Sequence, residues 1–228
     1  MIEMDFTRIE GAGDDGGETI QDMIVVVVKW DVTEKQYKYV YYHYLPEQLG
    51  TKNDVAFVGT ALDTFFVDFS RDNPQHKSIN KLIIWSDGGA AHYKQRFALG
   101  MMLKKQLEWN VSTEWHFWVA NHGHNVCDSA ASTLKRTQRK LFAKTGEELE
   151  TPQDFNDFIE NEMKSCHKPH LITVYDQVVG TTKLQGVRYY HKFVFDSDSN
   201  VITGYPSSFT AVGFKNAKQW SVTDFEVT

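Results

Sequence analysis

The stretch QDMIVVVVKWDVTEKQYKYVYYHYL, residues 21–45, decides how the chain folds. Ile24, Val25, Val26, Val27 and Val28 form a β-branched run without the three- and four-residue spacing of a helix, so residues 21–30 predict a strand, placed centrally. The polar residues 31–35 predict a turn, and the tyrosine-rich residues 36–45 a second strand. Toward the amino end, residues 1–10 (MIEMDFTRIE) alternate apolar and polar before a glycine-rich link over 11–17. Three strands in succession predict an antiparallel meander.

Working outward the other way, Asn53 or Asp54 can cap a helix in which Val55, Val58, Leu62, Phe65, Phe66 and Phe69 share one face. A short buried-type strand, KLIIW at 81–85, then runs into Ser86, Asp87, Gly88 and Gly89. A helix over about 90–107, a strand at 113–120 and a helix between 127 and 144, marked by Ala131, Leu134, Gln138, Leu141 and Phe142, follow. The order β-β-β-α-β-α-β-α changes from a meander to crossovers, which make the later strands parallel. It predicts an α/β core over 1–150 with a mixed five-stranded sheet flanked by helices. Residues 151–228 predict a short acidic helix (PQDFNDFIENEMK) and strand-like pieces at 171–175, 187–195 and 219–227, a small β-rich appendage on the same core.

Hydrophobic residues are 41% of the chain and charged residues 24%, which fits a globular fold and excludes disordered and collagen-like classes. The longest apolar run, residues 23–28, is too short to span a bilayer, and no signal sequence opens the chain. Cys127 and Cys166 are the only cysteines and are read as reduced thiols, so an intracellular protein without a membrane partner is expected. The net charge of -6 argues against coating nucleic acid through an overall field; a local basic face would be needed.

Three carboxylates occupy matching addresses. Asp5 lies inside the first strand, Asp87 at the end of the fourth and Asp128 at the start of the last main helix, and the first and fourth strands are neighbours in this topology. Mg²⁺ or Mn²⁺ prefers a few carboxylate oxygens and keeps other positions for water and phosphate. Two such ions roughly 4 Å apart can promote in-line phosphoryl displacement. Each aspartate alone also has a structural reading, Asp87 as a turn residue before two glycines and Asp128 as a helix cap.

The segments Met4-Asp5-Phe6-Thr7, Trp85-Ser86-Asp87-Gly88-Gly89-Ala90-Ala91-His92-Tyr93-Lys94 and His122-Gly123-His124-Asn125-Val126-Cys127-Asp128 resemble the acidic motifs of eukaryotic transposon-derived proteins. Their patterns are roughly DFS, WSDGxxxQYK and HGKxxCD, within the ribonuclease-H-like fold of DDE/DDD transposases and integrases. The resemblance spans about residues 1–142, with a weaker echo at Gly186-Val187-Arg188-Tyr189-Tyr190-His191. It implies a ribonuclease-H-like core, metal ligands at Asp5, Asp87 and Asp128, a DNA substrate with RNA as an option, a nuclear location and a homo-oligomer within a nucleoprotein complex. His92 stands in place of glutamine and His124 in place of lysine, which bears on substrate contacts. Because the chain opens directly on the first strand, a domain without an upstream DNA-binding module is expected.

Around the acids, Tyr93, Lys94 and Arg96 can meet phosphates, as can Lys135, Arg136, Arg139 and Lys140. Asp128, Ser132, Lys135 and Arg139 recur on one helical face, which is either a strand path or a solvated surface. His122 could shuttle a proton and His124 touch the substrate, though both could equally be loop histidines. A zinc site joining His122, His124 and Cys127 to Cys166, His167 and His170 matches no standard spacing, so zinc is not expected. Trp85, Trp115, Phe117 and Trp118 are read as core. The leading expectation is a two-metal nuclease or transposase domain. The alternative is a domesticated, inactive core that binds nucleic acid or protein. A sugar- or phosphate-metabolising enzyme of the actin-like type lacks the glycine-rich phosphate loops it would need.

Overall fold

The computed structural model describes residues 1–9, 19–74, 80–89, 93–118, 125–175, 184–207 and 217–222. Period-2 alternation in β1 (Ile2–Ile9) and the β-branched run of β2 (Ile20–Asp31) pair antiparallel, with Asp5 opposite Ile24. β3 (Gln36–Pro46) continues the meander, with Ile24 opposite His43. After helix α1 (Val55–Asp72), β4 (Lys81–Ser86) lies parallel beside β1. Helix α2 (Arg96–Trp109) then leads to β5 (Ser112–Phe117), parallel to β4.

The helix ends follow from local chemistry. Asp54 caps α1 by accepting from the Ala56 and Phe57 amides, and α2 stops at Asn110 in the left-handed region (φ 52°). Helix α3 (Val126–Thr145) starts on a capping box between Asn125 and Asp128 and ends at Gly146, whose φ of 73° suits glycine. Helix α4 (Pro152–Glu162) starts on a second capping box, Thr151 with Asp154.

The carboxy-terminal strands enlarge the sheet at both edges. β6 (His167–Ile172) pairs parallel with β3, while β7 (Lys192–Asp196), β8 (Val201–Tyr205) and β9 (Lys218–Ser221) extend antiparallel from β5. Among the described residues the result is a mixed nine-stranded sheet of order β6-β3-β2-β1-β4-β5-β7-β8-β9 with four helices. The sheet thus has nine strands where the sequence predicts five, and the predicted appendage contributes strands to both of its edges. Several boundaries also move. α2 begins at Arg96 rather than near 90, Val187–Tyr189 is a 3-10 turn ahead of β7, and β8 falls outside the predicted strand-like pieces. Gly204 explains the weak signal at β8: a Cβ there would sit 2.8 Å from the Trp220 ring, so the residue that masks the strand is required by packing.

Helices cover both faces. Met4, Met23, Val25, Tyr42 and Tyr44 pack with α1 and α2, whereas Ile24 and Val26 pack with Cys127 and Ala130 of α3. Farther along that second face, Ile9, Ile20 and Leu45 meet Leu134 of α3 and Phe155, Phe158 and Ile159 of α4. Each fully buried Leu, Phe or Ile contributes about 1.5–3 kcal/mol. Among the described residues no helix is long and apolar enough to cross a membrane.

Candidate functional site

Alternation along β1 turns Ile2 and Met4 into the core under α1 and α2, so Glu3 and Asp5 face α3. Met4 pairs with Ser86, the last residue of β4, and Asp87 follows it at the end of that strand, beside Asp5. The start of α3 closes the group. Asn125 Nδ2 donates to Asp5 Oδ2 at 3.3 Å, its Oδ1 accepts from the Asp128 amide at 2.7 Å, and its own amide donates to Asp128 Oδ2 at 3.2 Å. One asparagine therefore fixes two of the three acids relative to each other.

Asp5 is the unusual member. A carboxylate in mid-strand caps nothing, and here its pKa is pushed up to about 6, first by burial and then by the Asp87 charge, with a smaller push from Asp128. Hydrogen bonds from Asn125 and from the Phe6 amide (2.8 Å) pull the other way without prevailing. The other two acids also do structural work: Asp87 Oδ1 accepts from the Gly89 amide at 3.0 Å, and Asp128 completes its capping box. A cavity of about 30 Å³, large enough for one water, is lined by Asp5, Thr7, Cys127 and Asp128.

Glu3 joins the site without a motif of its own in the sequence; the available signal is its i, i+2 relation to Asp5, which places both on one face. Its Oε2 accepts from the Val126 amide at 3.2 Å, and burial raises its pKa. It seats the amino end of α3, and with it Asp128. If the three aspartates hold a divalent ion, Glu3→Ala should weaken Mn²⁺ binding by about 10–100-fold, the range for outer residues that orient metal ligands. Glu3→Gln, which keeps the acceptor, should restore most of it. Calorimetric Mn²⁺ titration separates the cases, since equal losses in both variants would make Glu3 a direct ligand instead.

The donor set suits a hard divalent ion by type: carboxylate oxygens, like charges near one another and an Asp5 pKa raised by burial and then by Asp87. Among the described residues no group of three His, Cys, Asp or Glu side chains is already arranged to hold a metal ion. Asp5, Asp87 and Asp128 thus share an electrostatic neighbourhood without forming a closed ligand shell. The zinc grouping weighed from the sequence is divided by the sheet. His167 bonds to His43 on the α3 side, while His170 lies 3.4 Å from Asp68 of α1 on the other, and Cys127 is buried against the Ile24 carbonyl.

The basic residues behave differently from one another. Tyr93, expected to meet nucleic acid, is wholly buried, stacked on Phe6 at 5.7 Å and edge-on to Trp115, so it is a core residue. Lys94 is also buried, its ammonium 5.5 Å above the Phe117 ring, and burial lowers its pKa; it is not a surface phosphate contact. Arg96, Arg136, Arg139 and Lys140 are exposed and Lys135 is half-buried, with Lys135 and Arg139 on the same side of α3 as Asp128, away from the buried stripe Cys127, Ala130 and Leu134. His122 and His124 lie outside the described residues.

The aromatic residues split by face. Trp115 and Phe117 are core, as expected from the sequence. Trp85 and Trp118 are not fully buried: Trp85 is the cross-strand partner of Glu3 and stacks on Trp118 at 5.9 Å and on His116 at 4.6 Å, on the face that carries the acids.

No curated protein and no solved structure matches the chain. One family does, over residues 24–207, a span that includes Asp87 and Asp128 and begins after Asp5. Since that span covers well over half of the sequence, the chain belongs to the family described as a domain of unknown function, DUF8701.

Proposed function

We propose that the chain is a metal-dependent nucleotidyl-transfer domain acting on DNA, with Asp5, Asp87 and Asp128 as its acids. The observation that carries this reading is Asp5, a mid-strand carboxylate held next to two others at a cost in stability that no packing role explains. The strand order β3-β2-β1-β4-β5, with β1 antiparallel to β2 and parallel to β4, supports a ribonuclease-H-like core. A nuclear location and self-association in a nucleoprotein complex belong to the same proposal, with RNA as the alternative substrate.

The chain's own residues set up the chemistry. Asp5 and Asp128 present oxygens oriented by Asn125, Glu3 seats α3, and Asp87 projects from the end of β4. Bound Mg²⁺ or Mn²⁺ would supply Lewis-acid activation and charge neutralisation at the reacting phosphate. The partly exposed Trp85 and Trp118 would border a base bound beside the acids, and Lys135 and Arg139 continue away from Asp128 along α3.

A second reading has its own support. The roles of Asp87 in its turn and Asp128 in its capping box are sufficient reasons for both residues, which favours a domesticated core that binds without cutting. Cleavage of end-labelled oligonucleotides in Mg²⁺, Mn²⁺ or excess chelator, with Mn²⁺ binding measured in parallel, decides between them. Metal-dependent products support the enzyme; DNA binding with neither metal uptake nor product supports the binding module.

A further inference from the structure

Below α3 and α4 a line of polar side chains crosses the sheet and separates the two apolar clusters on that face. Asp22 and His43 are both fully buried, with Asp22 Oδ2 2.8 Å from His43 Nδ1. His43 Nε2 lies 2.9 Å from Nδ1 of His167, the first residue of the edge strand β6, whose ring stacks on Tyr41 at 4.5 Å. Asp22 sits between Ile20 and Ile24, where an apolar residue would continue the core, and its Oδ1 has no hydrogen-bond partner among the described residues. Such a departure from the apolar pattern points to a function other than stability.

The protons fix what this chain can do. With both imidazoles neutral, His43 donates Nδ1–H to Asp22 and accepts Nδ1–H from His167. One added proton is accommodated by reversing the second bond, so that His43 donates from both nitrogens and its charge is paired with Asp22. A second proton cannot be accommodated, because His43 Nε2 and His167 Nδ1 would both carry hydrogens and face each other 2.9 Å apart. We infer that Asp22, His43 and His167 form a proton-sensitive latch that holds β6 on β3 and releases its His167 end when the second proton binds.

The surroundings agree. Among the described residues the charges acting on His167 are both cationic, His43 from β3 and Lys164 ahead of β6, and with burial as the largest cause they push its pKa down to about 4. Asp22 reaches it only through His43. On the opposite face of β6, His170 sits by Asp68, with Arg71, Asp72 and Lys168 nearby; burial lowers its pKa in spite of the Asp68 charge, so it also resists a proton, but it is not hydrogen-bonded to His43 and takes no part in the latch. The latch's own release acts at the His167 end, next to the backbone bond from the Tyr41 amide to the Cys166 carbonyl.

Because the released imidazole titrates near 6.5 and the latched one near 4, the released population should grow as the pH falls between those values and level off below. Hydrogen-exchange protection factors of the β6 amides are expected to drop about tenfold per pH unit in that window, while those of β4 and β5 stay level. In His167→Gln, which can donate one hydrogen bond to His43 but takes up no proton, protection at the Cys166 and His167 end of β6 should no longer fall in that window. Nitrogen-resolved imidazole spectra of the unaltered chain test the latch even if that variant does not fold. His167 titrating near the ordinary value, β6 protection level with β4 and β5, or acid loss persisting unchanged at the His167 end in the glutamine variant would each overturn it.

Discussion

Asp87→Asn is expected to lower metal-dependent strand cleavage by more than about 100-fold while leaving the fold and most DNA binding in place. Residues that only orient metal ligands cost about 10–100-fold, so loss of a ligand should exceed that range. Asparagine retains an oxygen for the Gly89 amide, so the turn after β4 survives. Cleavage in Mg²⁺ and Mn²⁺, with binding of an uncleavable oligonucleotide, measures both effects; activity within tenfold of the parent would remove Asp87 from the site.

The same charge arrangement predicts the opposite effect on stability at Asp5. Its folded pKa of about 6 lies above the ordinary value of 3.8, so the folded chain holds this proton more tightly than the unfolded chain does. That contribution is fully present below pH 3.8 and is lost as the pH rises through 6, leaving the ionised carboxylate a liability at neutral pH. In chelator, Asp5→Asn should raise stability at pH 7.5 by about 2 kcal/mol, allowing for partial solvent screening. At roughly 2–4 °C per kcal/mol for a chain of this size, the midpoint would rise by about 4–8 °C, with no gain at pH 3.5. Higher stability with activity abolished is the pattern expected of a functional acid. A variant destabilised equally at both pH values would show that Asp5 is a structural residue.

The second large effect concerns α3. Lys135→Ala with Arg139→Ala should weaken duplex DNA binding and reduce the slope of log affinity against log salt by about 0.9 for each phosphate left without its cationic partner. Metal uptake should be unchanged, because neither side chain takes part in the hydrogen bonds through which Asn125 holds the acids together. Titrations from low to moderate salt on the parent and the double variant measure this. An unchanged slope would make that face of α3 a solvated surface and place the DNA path elsewhere.

Much of this architecture is legible in the residues themselves. The β-branched run in β2, the alternation in β1 and the Asp54 cap are local signals, and local signals specify element type and the face each side chain takes. The meander followed by crossovers also places β1 beside β4, and so Asp5 near Asp87, because handedness and short connections leave few alternatives. Other features depend on partners distant in sequence. Tyr93 and Lys94 follow Asp87 closely and look available to substrate, yet the chain turns both inward against Phe6, Trp115 and Phe117. Trp85 and Trp115 lie on similar apolar strands, and only the covering helices make Trp115 a core residue and leave Trp85 partly open on the acids' face.

By itself, then, the sequence determined the α/β class and, as far as α4, the kinds of elements and their order, since hydrophobic period and capping chemistry act within a few residues. Tertiary structure alone decided that β6 closes one edge and β7, β8 and β9 the other, that Glu3 and Asn125 hold the acids, and that Asp22, His43 and His167 join into one chain. The reason is physical: strand register and helix docking are fixed by burial summed over the whole sheet, and no short window of sequence contains that sum.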